Sequence, residues 1–508
     1  MISQHARLLS FCVGFLSLSQ EILWIRLTGF AFRGTPLAFG VILGLYLIGI
    51  AIGAGLGKRY CRKQDGLFQI AAVFLMLGGI ADLIFPWLTV QGFAAGKVGG
   101  GVMLGLCVVL TAMFKSAVFP IAHHLGSSTA TDRVGSSVSK VYFANILGAT
   151  LGPLLTGFFL LNVLTLQQCL LLMGGLTLAT AAFCWWAAQE AHARPLLASS
   201  LLLSLGLLFL PPLLLPQLVE LTAEHEGEFA LPVENRYGII HVLQTHDGDD
   251  YVFGGNAYDG RVGYDFLRDT NLISRAYLLA ALQPEARRVL VIGASAGAWT
   301  RVLTAFPKVE RIDIVEINPG YLKITAQYPE LRPILSDPRV HFHFDDGRRW
   351  LKRHPEEKFD MVVMNNTYHW RAYSTLLLSR EFLQQLDGHL NHGGLIAYNS
   401  TWSWDAFATA ASVFPQVYRY LNCVIAGRQV GLPAEADALE RLAALQLDGK
   451  PLLDLDNPAV LAKAKHNLWQ LHPFNEDNTQ RPLEIITDQN MLTEYKRGKS
   501  LWSLIHKE

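Results

Sequence analysis

A glycine turn and two later carboxylates are the residues here whose spacing could do chemistry. The apolar run Val289–Ile292 leads into Gly293-Ala294-Ser295-Ala296-Gly297, and a second run, Ile312–Val315, ends in Glu316, nineteen residues past Gly297. Such a turn lets backbone N–H groups approach a ligand closely, and an acid at that distance can accept both hydroxyls of a ribose. The pair predicts a nucleoside site of Rossmann type. A third run leads to Asp345-Asp346-Gly347, where a carboxylate can accept from an exocyclic amine such as that of adenine. A fourth ends in Asn365-Asn366-Thr367-Tyr368, where a transferred group would meet its acceptor. That ordered set is what an adenosyl ligand laid across a parallel sheet requires.

The elements that must position these residues are legible from their alternation. Strands 288–292, 311–316, 339–344, 359–364 and 394–399 alternate with helices Trp299–Phe306, Pro319–Tyr328, Arg348–Arg353 and Ser379–Leu390. This predicts a doubly wound α/β domain over 269–425, with ligands at the carboxyl ends of its strands. Ahead of it, 228–268 alternates in short runs broken by Asp-Gly and Gly-Gly, as in a small antiparallel β unit. The stretch 426–508 reads as a helical, polar extension without an assigned role.

Charge placement separates a further part. The chain is 51% hydrophobic with zero formal net charge, yet residues 1–218 hold only 17 of its 84 Lys, Arg, Asp and Glu residues. Residues 1–220 therefore read as a multi-pass α-helical membrane domain, with seven apolar segments: Leu8–Phe32, Pro36–Leu56, Leu67–Val90, Val98–Ile121, Val141–Leu164, Leu166–Ala188 and Leu196–Leu218. The first is too long and too polar for a cleaved signal peptide. Small residues four apart, Gly53 with Gly57 and Gly148 with Gly152, predict close helix packing. Glu21, Arg26, Asp82 and Lys115 should face one another or a wet cavity, either fixing register or lining a polar path.

Arg7, Lys58, Arg59, Arg62, Lys63, Arg133, Lys140 and Arg194 fall on one side, which the positive-inside rule places in the cytoplasm. Seven crossings would then export the nucleoside domain. Pro211, Pro212 and Pro216 interrupt the last segment, so the expectation is a broken or re-entrant seventh segment and a cytoplasmic soluble domain. Neutral balance gives no footprint for nucleic acid. The six cysteines form no CxxC pair, and His341 and His343 lack a third ligand, so no metal is expected.

Residues 234–405 resemble the spermidine synthase (aminopropyltransferase) family. The resemblance is carried by Glu234–Gly238, Val289–Gly297, Val315–Pro319, Asp337–Val340, Asp346-Gly347, Phe359-Asp360, Leu378–Phe382 and Gly393-Gly394. Ser19–Arg26 and the glycine-rich span after it look like bacterial membrane-anchored members, which implies a multi-pass protein of the inner membrane. The family's fold is that of class I methyltransferases behind a small β domain. It implies that Gly293, Ser295, Gly297, Glu316, Asp346 and Gly347, with Tyr258 and Asn271, hold a sulfonium nucleoside, either S-adenosylmethionine or its decarboxylated form. Glu316 would take the ribose and Asp346 the adenine.

Two positions depart from the family. Its turn carries an acid that grips the donor's amine, where this chain has Ala296; its fourth strand ends in an acid that deprotonates the attacking amine, where this chain has Asn365. Asn cannot take a proton, although its carbonyl can accept from an amine. Intact S-adenosylmethionine thus becomes a candidate donor, Arg301 a candidate partner for its carboxylate, and orthodox spermidine synthesis is not expected. Asn365, Asn366 and His369 are the catalytic candidates; Tyr368, Trp370, Arg371 and Trp402 are the candidate acceptor contacts. The reading is a transferase of an aminopropyl-type or methyl group to an unidentified acceptor, with association between copies left open. Two rivals stand beside it. Gly293–Gly297 also fits a G-x-S-x-G nucleophile elbow with Ser295 as nucleophile, and Ala296 and Asn365 suit a non-catalytic transporter or sensor.

Overall fold

The computed structural model describes residues 2–62, 65–127, 134–189, 193–365, 368–476, 479 and 481–497. They form two compact units, one drawn mainly from residues up to Glu224, the other from His225–Val233 and residues beyond Tyr237.

Among the described residues, the first unit has six helices long and apolar enough to cross a membrane: Ile2–Ala31, Pro36–Tyr60, Leu67–Ala94, Lys97–Gly126, Val138–Val163 and Leu166–Ala187. Their glycines are contact points. A Cβ at Gly53 would overlap the Met113 carbonyl and one at Gly57 that of Ala117, while Gly148 and Gly152 sit against the Phe11 and Phe15 carbonyls. Any side chain there would push the helices apart, which is why the small residues recur every fourth position. Of the four intramembrane charges, Asp82 and Lys115 face one another at 2.6 Å, both fully buried, and Thr177 donates to the same carboxylate. Glu21 and Arg26 stand outside that pair.

The expected seventh segment is broken. It consists of helices Ala193–Leu207 and Leu214–Thr222, with Pro211 and Pro212 between them. The backbone freed at the break is satisfied by two side chains at the start of helix Leu166–Ala187. Gln167 donates to Pro211 O at 2.7 Å and accepts from Leu214 N at 3.0 Å, and Gln168 donates to Leu208 O at 2.8 Å. Irregular backbone among apolar helices is tolerated only where such partners exist.

In the second unit, strands β1 (Glu228–Asn235), β2 (Gly238–Gln244), β3 (Tyr251–Gly254) and β4 (Ala257–Arg261) form a meander in that order. Eight of the described strands form the main sheet. These are β5 (Arg288–Ile292), β6 (Arg311–Val315), β7 (Val340–His343), β8 (Phe359–Met364), β9 (Leu390–Asn399), β10 (Gln416–Tyr420), β11 (Cys423–Gly427) and β14 (Leu471–Pro473). A two-stranded ribbon, β12 (Gln446–Leu447) and β13 (Lys450–Pro451), precedes β14. The main order is β14-β10-β11-β9-β8-β5-β6-β7, and β5 through β9 run parallel.

The chain leaves β5 toward β6 and β7, then returns to place β8 on the other flank of β5. That reversal is a topological switch point, where ligands bind beyond the strand ends. Ile292 pairs with Met364 across it, so the turn at Gly293 and the strand end at Asn365 emerge side by side. Buried branched residues such as Val291, Ile314 and Val363 pack one face; Leu290, Val362 and Ile396 pack the other. Residues 426–508, expected to be helical, also contribute β12, β13 and β14. The last pairs antiparallel with β10, so the sheet extends well past 425.

Candidate active site

The glycine turn leaves β5 in left-handed backbone, with φ of 86° at Gly293, 47° at Ser295 and 98° at Gly297. Ser295 is not glycine and holds this conformation because its hydroxyl donates to Asp259 O at 2.9 Å. Its Oγ bonds a backbone carbonyl and not an imidazole, which removes the support a nucleophile elbow would need. Glu316, 4% exposed at the end of β6, accepts from Ala294 N at 2.7 Å and Asn318 N at 2.8 Å. The acid therefore ties the turn to the second strand. Burial pushes its carboxyl up to about 7, partly offset by those N–H donors.

At the next strand end, Asp346 caps helix Gly347–Arg353, accepting from Arg349 N at 2.9 Å. The neighbouring Asp345 takes the ion pairs with Arg349 and Arg353. A Cβ at Gly347 would stand 2.8 Å from the Ile292 side chain, so a larger residue would press the helix off β5. Arg348 forks onto Asp488 with two bonds of 2.6 Å, anchoring the helix to the far end of the chain.

A cavity of about 210 Å³ opens beside the turn. Five sequence candidates line it: Tyr258, Asn271, Asn365, Tyr368 and Trp402. Tyr258 donates to Asn271 Oδ1 at 2.6 Å. Cavity and turn meet across Gly260, where a Cβ would lie 3.3 Å from both Asn271 Nδ2 and Ser295 Oγ. Asn366 lies outside the described residues.

Other candidates are directed elsewhere. His369 Nδ1 sits 2.8 Å from Thr401 O, and His369 does not line the cavity. Trp370 is buried and stacks on Tyr368 at 4.9 Å, supporting that ring from outside the lining. Arg371 also lies off the lining, near Gly254 and Gly255 in the small β unit. Arg301 is buried and paired with Asp448, so it is committed to the β12–β13 turn instead of a donor carboxylate. Ala296 is buried, and its carbonyl accepts from Thr325. His343 bonds Asp313 at 2.8 Å.

The cavity also has members that the sequence reading missed: Asp259, Arg275, Asn399 and Asn422. Asp259 is half-buried, its carboxylate accepts from the Tyr321 hydroxyl, and desolvation raises its pKa against the pull of Arg371. Asp259-Gly260 beside Tyr258 was a readable signal; the asparagines come from distant strands and carried none.

Strand order and turn together define a Rossmann-like α/β unit. Residues 276–420 match the family model of the spermine/spermidine synthase domain. Similar curated proteins include the polyamine aminopropyltransferase of Alkaliphilus oremlandii, 38% identical over 88 residues, or 17% of this chain and 31% of that protein. That of Streptococcus pneumoniae serotype 4 is 32% identical over 167 residues, 32% of this chain and 51% of its own length. The chain thus spans about a third and about half of these two relatives. The polyamine aminopropyltransferase of Corynebacterium efficiens is 24% identical over 491 residues, 92% of this chain and 90% of that protein, so the likeness extends through the helical unit.

Proposed function

We propose that this chain is a membrane-embedded, spermidine-synthase-like transferase that binds a sulfonium nucleoside and passes an alkyl group to an acceptor in the adjoining cavity. One observation carries the reading: Glu316 is held by the turn's own backbone at the switch point, with the cavity opening one glycine away. The relatives are named aminopropyltransferases, which supports decarboxylated S-adenosylmethionine as donor. Ala296, which brings no acid to the turn, supports intact S-adenosylmethionine. Attack on a carbon beside the sulfonium needs little more than orientation, which the turn and cavity can supply.

Calorimetry of the full protein with S-adenosylmethionine, its decarboxylated form and methylthioadenosine tests this. All three should bind, the intact donor at least as tightly as the decarboxylated one. A preference of about tenfold for the decarboxylated nucleoside, about 1.4 kcal/mol, would return aminopropyl transfer to the lead. Binding of none would end the transferase reading.

The nucleoside unit is assigned to the cytoplasm. Six crossings return the chain to the side of its amino terminus, where Arg7, Lys58, Arg59, Arg62 and Lys140 gather. Reporter fusions after residue 64 and after residue 230 should both read cytoplasmic; an external signal at 230 would overturn the placement.

A further inference from the structure

The cavity beside the nucleoside turn is wired to donate. Arg275, 3% exposed, has only N–H groups, and its Nη1 donates to Asn422 Oδ1 at 3.1 Å. Asn422 Nδ2 donates to Asn399 Oδ1 at 3.0 Å, and Asn399 Nδ2 donates to Asn365 Oδ1 at 3.4 Å. The direction of this chain is set independently at two points. Arginine cannot accept, and Asn399 Oδ1 also accepts from Thr401 N at 2.8 Å, so neither amide can be reversed without facing donor to donor. Asn365, which lines the cavity, therefore receives at its oxygen and keeps its NH2 group as a donor.

Charge agrees with polarity. Among the described residues, no carboxylate lies within 4.0 Å of the Arg275 guanidinium, which rests 5.0 Å above the Trp299 ring. The other charged lining residue, Asp259, has its carboxylate engaged by Tyr321 and in the field of Arg371. A diamine entering this cavity would bring a cation to buried Arg275 and to the Asn365 amide, with Asp259, tied to Tyr321, as the one carboxylate of the described lining.

We propose that the acceptor is an anionic nucleophile of the carboxylate class, not a polyamine, seated by the NH2 group of Asn365 under the charge of Arg275. The proposal rests on the transferase reading and names its second substrate. The reaction then balances without a base. A carboxylate oxygen attacks the carbon beside the sulfonium, the C–O bond forms, and the C–S bond breaks with its electron pair passing to sulfur. Sulfonium becomes neutral thioether and no proton moves. An ammonium would first have to lose a proton, which Asn365 cannot take.

The test uses the full protein and two five-carbon probes of opposite charge, glutarate and 1,5-diaminopentane, titrated in low-chloride buffer. Glutarate should bind at least about tenfold more tightly. Asn365→Asp should weaken glutarate and strengthen the diamine, each by several-fold. Tighter binding of the diamine to the wild type, or binding of neither probe, overturns the proposal whether or not the variant folds. Because these titrations need no nucleoside, methylthioadenosine titrated separately distinguishes failure of the donor site from failure of this assignment.

Discussion

Replacing Glu316 with alanine should weaken methylthioadenosine binding by about tenfold or more, since a buried charge-assisted hydrogen bond contributes roughly 1.5–3 kcal/mol. The same residue should give binding a pH signature. Its carboxyl sits at about 7, and the ionised form is the one that can accept from two ribose hydroxyls while holding Ala294 N and Asn318 N. Affinity in the wild type should therefore fall about tenfold from pH 8 to pH 6, roughly the ratio of ionised fractions one unit to either side of that value. The alanine variant should lose this slope. Stability runs the other way. The folded carboxyl holds its proton more tightly than the unfolded one, so this group's contribution falls as pH rises from about 4.5 to about 7, by about 3 kcal/mol. A folded Glu316→Ala protein with unchanged affinity would remove the nucleoside assignment.

Breaking the Asp82–Lys115 pair should have the largest effect on stability. Both groups are fully buried and 2.6 Å apart, so Lys115→Leu leaves a carboxylate without its cation inside an apolar helical unit. Losing one member of such a pair costs about 3–5 kcal/mol, whereas replacing both with apolar residues is often neutral. Thermal unfolding in detergent should show a steep drop for Lys115→Leu and recovery in Asp82→Leu/Lys115→Leu. Recovery would identify the pair as a device that fixes helix register. A double variant as unstable as the single would leave the pair's purpose in solvation or passage instead.

Much of the fold was legible because its signals are local. Hydropathy marked six spans, and the alternation of strands and helices marked the parallel sheet, with 288–292 and 359–364 placed to the residue. The proline cluster after Leu210 announced the broken segment, but Gln167 and Gln168, which satisfy its backbone, gave no sign. Glu316 was readable because its spacing from the turn is fixed by one strand–helix–strand unit. The cavity wall was not. Asn399 and Asn422 reach the cavity from β9 and from the turn after β10, and their meeting depends on sheet order, to which no short motif corresponds. Along the described loop residues 368–371, Tyr368 lines the cavity while His369, Trp370 and Arg371 lie off its lining, a division that neighbours in sequence do not announce.

The dependence of the site on residues 481–497 has a consequence for the order in which the protein is made. Asp488 grips Arg348 two residues from Asp346, and Glu494 accepts from Thr375 N at 2.9 Å, anchoring the segment that delivers Tyr368. Arg481 forks onto buried Asp405 with bonds of 2.8 and 2.6 Å. All three anchors leave the ribosome after both the helical unit and the nucleoside turn. A growing chain thus completes its helical unit and can fold its glycine turn well before Tyr368 is held in place, so the finished cavity wall is among the last features that translation supplies.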